Sequence, residues 1–444
     1  MRFLIIVLSF FPCFMAAQDL TARADALLSA YHKNDQFTGT VLIAKNGKVI
    51  FEKGYGQANR NSHQVNNAFT EYRIGSVSKP FTATLILKLQ EKGFLSIKDP
   101  LSKYLPDYPK GDSVLLENLL NHTSGIKSIS SMKQYYAEWI GEKTDLPKTI
   151  SRFKNEAFNF SPGKKYEYSN SNYILLSYVA ELAAGSSFES LLDHYILKPL
   201  KLEHTGLDKN DRISAQKALG YQASPETDYA PARFNDMSIM MGAGSMYSTA
   251  RDLFAFDRAL DGDRLISAES GKQMYAVHKN NYGLGWEIDS SKGKLRISHS
   301  GSIDGFLSNF IRFPEQDVCI VFLSNYFNSK GPQISKALIS IVFDEPYEMP
   351  LERKFVAIPV DELKMYSGAY QMEKGPALEV FIEDGKLKGR LEQQQAFVML
   401  PQSNGEFYIK SIDTDVVFEI KDKAIVGMKL KQGKKVMEFK AMRN

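Results

Sequence analysis

The sequence predicts an α+β protein, in which an antiparallel sheet covered by helices carries a large helical insertion and is followed by a small all-β barrel domain. Strand patterns lie at both ends of the first 345 residues, and helical patterns dominate between them from about residue 77 to residue 260. Beyond about residue 346 the chain changes to short runs of alternating apolar and polar residues. A sheet completed by distant segments around a helical insertion is an α+β arrangement.

The first residues predict a signal peptide, residues 1–17. Arg2 is followed by an apolar run to Met15 and then by Ala16 and Ala17, whose small side chains suit a cleavage site. The run is short for a membrane span. We therefore expect an exported protein, periplasmic or secreted, with no stable membrane span in the mature form.

The next elements are a helix over residues 19–32 and a β-hairpin with strands at 40–44 and 49–52. Asn46-Gly47 between these strands is a preferred two-residue hairpin turn. After the helical insertion, four apolar runs joined by short turns predict an antiparallel meander: 282–288, 295–299, 306–313 and 318–323.

Prolines mark a linker, residues 346–361, between a first domain at 18–345 and a second at 362–444. Seven short runs in the second domain predict an antiparallel barrel or sandwich: 379–382, 386–391, 397–400, 407–409, 416–420, 425–430 and 436–439. These strands carry no constellation of reactive side chains, so we expect the catalytic groups in the first domain.

Composition excludes several classes of function. The formal net charge of +4 is spread along the chain without a Lys/Arg cluster, so we expect no nucleic-acid partner. After removal of the signal peptide one cysteine remains, Cys319, in an apolar run typical of a buried strand. The histidines show no metal-ligand spacing, so we expect neither a metal nor another cofactor.

The most informative motif is Ser76-Val77-Ser78-Lys79, at the start of a predicted amphipathic helix. Phe81, Leu85 and Leu89 have helical spacing, and Gly93 stands where the helix should end. A serine in the first turn lies beside unpaired backbone N–H groups, and a lysine three residues on returns to the same face. A neutral lysine amine there can take the serine proton. Other Ser-x-x-Lys copies, such as that at Ser161, lack a following helix and suit a cap or a loop.

Two further motifs follow. Tyr168 and Asn170 stand two residues apart ahead of a helix, so their side chains can enter one cleft. A phenol near charged amines can titrate low enough to relay a proton, and a carboxamide can bind a substrate amide. His299, Gly301 and Ser302 end a predicted strand, where a substrate backbone could lie along the edge and Ser302 N–H could join Ser76 N–H as an oxyanion donor. Each motif alone also suits an ordinary strand end, turn or cap.

In this order the three motifs resemble the serine β-lactamase and penicillin-binding-protein superfamily, and most closely its class C β-lactamase-like serine hydrolases. The resemblance covers roughly residues 20–345 and extends to the flanking segments 119–125, 162–164 and 242–253. The second domain resembles the small lipocalin-like β-barrel that many members carry. The resemblance implies a β-lactamase/transpeptidase-like fold.

It also implies roles for the motif residues. Ser76 matches the acylated nucleophile, Lys79 and Tyr168 the general base pair, and Asn170, His299, Gly301 and Ser302 the substrate-binding positions. His299 departs from the lysine of many β-lactamases. Because a histidine is mostly neutral at pH 7, it would not anchor a substrate carboxylate as a lysine does.

We therefore predict an exported serine hydrolase that works through an acyl-enzyme on a small-molecule or peptide substrate. D-amino-acid peptidase, carboxypeptidase and esterase activities remain open, β-lactam hydrolysis is possible, and two chains could pair as a homodimer. The alternative is a penicillin- or peptide-binding sensor without turnover. All of Ser76, Lys79, Tyr168 and Asn170 are present, which favours the enzyme.

Overall fold

The computed structural model describes residues 11–224, 229–262, 264–328, 330–392 and 394–442. The chain forms two compact units. The first comprises the residues up to His32, Phe37–Gly220 and Ala232–Glu348, and the second comprises Lys33–Gln36, Tyr221–Pro231 and Met349–Asn444. Of the predicted signal peptide, residues 1–10 lie outside the described residues, and residues 11–17 belong to the first helix. The predicted boundaries at residues 18–345, 346–361 and 362–444 stay predictions.

The α-helices are α1 (Phe11–Lys33), α2 (Ser78–Glu91), α3 (Leu116–Leu120), α4 (Leu146–Ser151), α5 (Asn170–Ala184), α6 (Phe188–Leu192), α7 (Lys198–Leu200), α8 (Ala250–Leu260), α9 (Ala268–Tyr275), α10 (Gly331–Val342) and α11 (Val360–Leu363). The strands are β1 (Gly39–Lys45), β2 (Lys48–Tyr55), β3 (Gln57–Asn59), β4 (Gln64–Val65), β5 (Tyr72–Arg73), β6 (Gly206–Leu207), β7 (Tyr221–Gln222), β8 (Ala230–Pro231), β9 (Met246–Ser248), β10 (Glu287–Ser291), β11 (Lys294–Ile303), β12 (Phe306–Phe313), β13 (Val318–Ser324), β14 (Tyr326–Phe327), β15 (Gly368–Met372), β16 (Ala377–Glu383), β17 (Lys386–Leu391), β18 (Phe397–Val398), β19 (Leu400–Ser403), β20 (Glu406–Ile409), β21 (Thr414–Lys421), β22 (Ala424–Gln432) and β23 (Lys435–Ala441).

The first unit is built on an antiparallel sheet with the strand order β10-β11-β12-β13-β1-β2. The predicted hairpin and meander are therefore confirmed, and β13 joins them by pairing with β1. Asn46 and Gly47 both have positive φ, 52° and 69°, as the tight turn between β1 and β2 requires. Cys319 is buried in β13, as its apolar run predicts.

The sheet is buried on both faces. Successive side chains of β1 point to opposite sides, so Leu42 and Ala44 join the core that contains α2, while Val41 and Ile43 join the core that contains α1 and α10. The prediction of one sheet covered by helices is confirmed by these two cores.

Helix α2 is more buried than an amphipathic helix would be. Phe81, Leu85 and Leu89 are buried as predicted, and the polar residues of the first half of the helix are buried as well, whereas Glu91 at its end is exposed. Thr82 donates a hydrogen bond to the Gly242 carbonyl, and Thr84 donates one to the Pro80 carbonyl, which satisfies both hydroxyls without water. The predicted amphipathic character therefore holds only in the last turn of α2, and the first half of the helix is buried on all sides.

The strand expected over residues 282–288 is shorter than predicted. Strand β10 begins only at Glu287, because Gly285 has a φ of +82° and turns the chain against α2. A Cβ at Gly285 would lie 2.7 Å from the Ala83 Cβ, so this close approach requires glycine.

A buried ion-pair cluster joins the sheet to α8. Arg312 in β12 is 1% exposed and bonds Asp257, Asp261 and the Tyr275 hydroxyl. Burial by itself would lower the pKa of the Arg312 guanidinium, but Tyr275, Asp257 and Asp261 together raise it above its usual value. The cluster therefore keeps a full positive charge in the core.

The second unit contains a nearly closed antiparallel sheet of nine described strands, in the order β18-β17-β16-β15-β23-β22-β21-β20-β19. The predicted all-β barrel is confirmed. Two details differ from the sequence pattern: β15 was not predicted, and the run at 397–400 divides into β18 and β19. That division places the two edge strands next to each other in sequence. The core of the unit includes Leu378, Phe407, Val416 and Phe439.

Candidate active site

Ser76 is held at the entrance to α2 by a tight turn. Residues Gly75–Val77 form a short 3-10 turn that leads directly into the helix, and Gly75 has a φ of +50°. A Cβ at Gly75 would lie 2.9 Å from Ser302 N, so glycine is needed both for the backbone conformation and for the contact with β11. Ser76 is half-buried, and its hydroxyl faces Lys79.

Lys79 is a buried amine without a counter-charge. Its side chain is fully buried, and its Nζ lies 3.1 Å from Ser76 Oγ, 2.8 Å from Asn170 Oδ1 and 2.7 Å from the Ala243 carbonyl oxygen. Burial lowers the pKa of the Lys79 ammonium well below its usual value. A neutral amine has two hydrogens and one lone pair. Because the amide and backbone oxygens can only accept, they take the two hydrogens, and the lone pair is left for the Ser76 proton.

Asn170 sets the direction of this amine. It is the first residue of α5, and its Oδ1 accepts the hydrogen bond from Lys79 while its Nδ2 donates to Ser130 Oγ at 3.0 Å. The amide orientation is fixed because the lysine needs an acceptor and the serine oxygen can take the donor. The structure thus places Asn170 beside Lys79 and on a pocket wall. Its predicted contact with substrate stays a prediction.

Tyr168 also belongs to the site, but its expected titration is corrected. Lys79 Nζ lies 4.7 Å from the centre of its ring, and its hydroxyl is buried without a hydrogen-bond partner among the described residues. Burial raises the pKa of the phenol, and the nearby Ser76 hydroxyl lowers it only in part. The notion of a low-titrating phenol was wrong because the neighbouring lysine is neutral and supplies no charge to stabilise a phenolate. Tyr168 is a neutral phenol that can hand on a proton.

His299 is buried and neutral. Its Nδ1 lies 2.7 Å from the Ser300 carbonyl oxygen and its Nε2 lies 2.9 Å from the Tyr282 hydroxyl. A carbonyl can only accept, so Nδ1 carries the proton and Nε2 accepts from Tyr282. Burial lowers the pKa of His299 to about 3. The predicted neutrality is confirmed, and both ring nitrogens are already bonded within the protein.

Gly301 and Ser302 lie inside β11, not at its end as the sequence suggested. A Cβ at Gly301 would lie 2.1 Å from the Ile74 carbonyl oxygen, so this glycine is required by the close packing of the Ser76 segment against β11. Strand β10 pairs with β11 only as far as Ser298, which leaves His299–Ile303 without a β10 partner. Ser302 is exposed on that stretch, next to Gly75.

Ser76 stands between two cavities of the first unit. A groove of about 730 Å³ contains Ser76, Tyr168, Glu287, His299 and Ser302 among its lining residues. A smaller pocket of about 170 Å³ contains Ser76, Ser130, Asn170 and Asp304. A substrate with its carbonyl at Ser76 can place one part in each cavity.

Sequence reasoning missed several residues of this site. His122 is buried with its ring centre 4.3 Å from that of Tyr168, and its Nδ1 accepts from Ser169 N–H at 3.2 Å. Burial lowers the pKa of His122 well below its usual value. The sequence indicates its neighbourhood, residues 119–125, only as a flanking segment of the family resemblance. Burial likewise raises the pKa of the Glu287 carboxyl, and Arg296 opposes that effect only in part.

Comparison with known proteins settles the family. A family model described as Beta-lactamase matches residues 24–340. The chain belongs to the beta-lactamase family. Its activity is accordingly that of a serine hydrolase of the β-lactamase and penicillin-binding-protein type. A second family model, described as a domain of unknown function (DUF3471), matches residues 352–442.

Individual relatives agree with this membership. A penicillin-binding protein of Bacillus subtilis (strain 168) is 30% identical over 434 residues, which cover 92% of this chain and 95% of the relative. A D-stereospecific amidohydrolase from Streptomyces sp. is 25% identical, with a TM-score of 0.62 over 72% of this chain and 97% of the other. The octameric penicillin-binding protein homologue from Pyrococcus abyssi shares the fold, with 22% identity and a TM-score of 0.66 over 94% of this chain and 99% of the other.

Within the part of the chain that the structure describes, no helix combines the length and the apolar character that crossing a bilayer demands.

Proposed function

We propose that the chain is an exported serine hydrolase that forms an acyl-enzyme on Ser76 and cleaves amide or ester bonds. The observation that carries this proposal is the buried Lys79 amine, 3.1 Å from Ser76 Oγ and bonded otherwise only to neutral oxygens. An amine kept neutral by burial is a competent base for a serine hydroxyl.

The steps follow from the positions of the side chains. Lys79 accepts the Ser76 proton as Ser76 Oγ attacks the carbonyl carbon. The oxyanion forms at the start of α2, where the N–H groups of Ser76 and Ser302 are the proposed donors. The proton then passes to the leaving group by way of the neutral Tyr168 phenol, and water cleaves the ester on Ser76.

The groove on the Tyr168 side favours a leaving group without a free carboxylate. His299 is neutral and bonded through both ring nitrogens, so it offers no positive charge. Of the cations that line the groove, Lys292 and Arg296 are paired with Glu345 and Asp289, and Lys336 is an exposed residue of α10. We therefore favour amides, esters and peptides attacked at an internal or amino-terminal bond over a carboxypeptidase reaction or efficient β-lactam hydrolysis.

The relatives support the same class of substrate. The Streptomyces protein is a D-stereospecific amidohydrolase, so amides or peptides of D-amino acids are the first compounds to test. The apolar start of the chain supports export to the periplasm or medium. The octameric homologue supports a test of self-association, in which a homodimer is the simplest expected state.

The test is intact-mass analysis after treatment with a fluorophosphonate. We expect a single adduct on the wild-type protein and on Ser161→Ala, which removes the serine of an exposed Ser-x-x-Lys copy. We expect no adduct on Ser76→Ala. An adduct that persists in Ser76→Ala, or none on the wild type, contradicts the proposal.

Turnover separates the enzyme from the sensor. A panel of p-nitrophenyl esters, D-alanyl peptides, D-amino-acid amides and nitrocefin should give at least one substrate that the wild type hydrolyses and Ser76→Ala does not. A Ser76 adduct that forms with every acylating compound and is never hydrolysed would favour the sensor.

A further inference from the structure

The smaller pocket beside Ser76 has a feature that the serine chemistry does not use. Its wall includes Asp304, together with Ser130, Tyr135, Asn170, Asn235 and Met240. Asp304 is half-buried and makes no ion pair among the described residues. The nearby Arg233 is exposed and stacks on Tyr136, with its guanidinium 5.2 Å from the ring centre. Among the described residues, the carboxylate therefore stands in the pocket without a salt-bridge partner.

The position of Asp304 relative to Ser76 is set by β11. Ile303 pairs with Phe306, so Asp304 is the first residue of the two-residue turn between β11 and β12. Asp304 lies two residues after Ser302, which corresponds to about 7 Å along a strand. Ser302 itself lies next to Gly75. Ser76 and Asp304 both line this pocket, so the nucleophile and the carboxylate face one cavity.

A second acceptor lies at the same wall. Asn235 is 1% exposed, and its Nδ2 lies 3.5 Å from Asp304 Oδ2. Its Oδ1 is buried with no hydrogen-bond partner among the described residues. A buried acceptor without a donor is costly, and a ligand with N–H groups would satisfy it. The Asn235 Oδ1 without a donor and the Asp304 carboxylate, which accepts only a long hydrogen bond from Asn235 Nδ2, together indicate a cationic donor in this pocket.

The two cavities differ in which part of a substrate they can take. Tyr168, the proposed proton donor to the leaving group, lines the groove and not the smaller pocket. The leaving group therefore belongs in the groove, and the acyl group belongs beside Asp304. At about 170 Å³, the pocket is close to the cavity of about 150 Å³ that holds one benzene molecule in another protein. It has room for one amino-acid side chain rather than a long peptide.

We propose that this pocket takes a single amino-acyl group whose free α-ammonium binds Asp304, so that the protein acts on amides, esters or short peptides with a free amino terminus. The proposal rests on the acyl-enzyme function proposed above. The bond from the carbonyl carbon to the leaving nitrogen or oxygen breaks as the bond to Ser76 Oγ forms, and the serine proton goes to the leaving group. Water then splits the aminoacyl ester, which releases the free amino acid and restores Ser76.

The experiment compares matched substrates that differ only in the amine. Aminoacyl p-nitroanilides of both configurations are assayed as the free amine and as the N-acetyl derivative. We expect wild-type kcat/KM to favour the free amine by at least about tenfold, as a charge-assisted hydrogen bond would. Asp304→Asn should lose about tenfold or more of this preference, mainly through KM, while the N-acetyl substrate changes far less. Glu315→Gln, which neutralises an exposed carboxylate of the same unit, is the matched control.

A pH series adds a readout that a merely structural role would not move. An α-ammonium loses its proton near pH 8, so the preference of the wild type should fall above that pH and that of Asp304→Asn should not. Equal kcat/KM for both substrates, or equal losses for both in Asp304→Asn, would overturn the proposal.

Fluorophosphonate labelling of wild-type Ser76 distinguishes the two levels of failure. If Ser76 is labelled and neutral esters are hydrolysed but no aminoacyl substrate is, the ammonium site is wrong and the hydrolase stands. If Ser76 is not labelled, the proposed function itself is wrong, and this inference falls with it.

Discussion

Two buried cationic side chains in the first unit have opposite surroundings. Arg312 lies against the carboxylates of Asp257 and Asp261, and its pKa is raised. Lys79 is equally buried but meets only the oxygens of Ser76, Asn170 and Ala243, and its pKa is lowered. The same loss of water thus favours a charged guanidinium in one place and a neutral amine in the other, because the partners of the two side chains differ.

The comparison separates stability from reactivity. A guanidinium with paired carboxylates holds β12 to α8 and has no lone pair to offer. For a buried lysine without a carboxylate, nothing offsets the desolvation of the ammonium. Loss of the proton removes this unfavourable free energy, so the pKa falls. A site that needs a base at neutral pH must therefore omit the counter-charge that a structural cluster requires.

The largest expected effect is the loss of the base. Lys79→Met keeps the apolar stem and removes the amine, so the rate of Ser76 acylation should fall at least about a hundredfold. The measurement is the time course of fluorophosphonate labelling by intact mass. The thermal midpoint of unfolding should stay near that of the wild type, because the substitution breaks no ion pair. Labelling within about threefold of the wild type would show that another group takes the proton.

Breaking the structural cluster should act on stability instead. Asp257→Asn leaves Arg312 short of a buried carboxylate and should lower the free energy of unfolding by about 3 kcal/mol. Denaturant titration measures this, and the labelling rate of the folded protein should stay near that of the wild type. Asp289→Asn, which removes a partly exposed partner of Arg296, should cost less than about 1 kcal/mol. Equal losses in the free energy of unfolding for Asp257→Asn and Asp289→Asn would contradict the structural role of the buried cluster.

A carboxylate placed beside Lys79 should make it behave like Arg312. Asn170→Asp would raise the pKa of the lysine, because an opposite charge nearby favours the ammonium form. The neutral amine then appears only at higher pH, so acylation at pH 7 should slow by about tenfold or more. The rate should recover as the pH rises toward 10. The pH profiles of the variant and the wild type are compared, with Asn170→Ala as the control without a charge. A loss of the same size at every pH would mean that the carboxylate acts only by distorting the site.

The smallest effect concerns His299. Its pKa is about 3 in the folded protein and near 6.5 unfolded. Below about pH 6.5 the unfolded chain therefore binds a proton that the folded chain excludes. This histidine costs up to about 1.4 kcal/mol of stability for each pH unit between 6.5 and 3. His299→Gln should make the free energy of unfolding less dependent on pH in that window, and urea titrations at several pH values measure the slope. His63→Gln, at an exposed position, is the control, and identical slopes for wild type and His299→Gln would refute the assignment.

Local sequence patterns predicted what depends on near neighbours. The Asn46-Gly47 turn, the helix that follows Ser76 and the left-handed Gly93 at its end, with a φ of +77°, all follow from residues a few positions apart. The three motifs also meet in one place, as the resemblance implied. The burial of the polar residues in the first half of α2 could not be predicted from their spacing, because segments far along the chain cover them.

The local sequence pattern does not predict the contacts of the site that join residues far apart in the chain. Asn170 is 91 residues from Lys79, and the Ala243 carbonyl is 164 residues away. Tertiary packing determines which backbone carbonyl accepts a hydrogen bond from the Lys79 amine. Every residue has a backbone carbonyl, so the sequence cannot identify this one. The sequence predicts the position of Asp304 in a hairpin turn, because Asp-Gly follows the third motif. An aspartate in a turn is common, however, so the sequence does not predict that it lines a pocket.

The unequal sizes of the two cavities have a consequence for the second half of the reaction. Once the leaving group departs, the groove of about 730 Å³ is vacant while the acyl group still fills the pocket of about 170 Å³. The molecule that attacks the ester on Ser76 must then arrive through the groove. Water is the smallest candidate, but an amine or alcohol that fits the groove competes with it. In the proposed reaction the acyl-enzyme is therefore a branch point, where the occupancy of the vacated groove would decide between hydrolysis and transfer of the acyl group to a new acceptor.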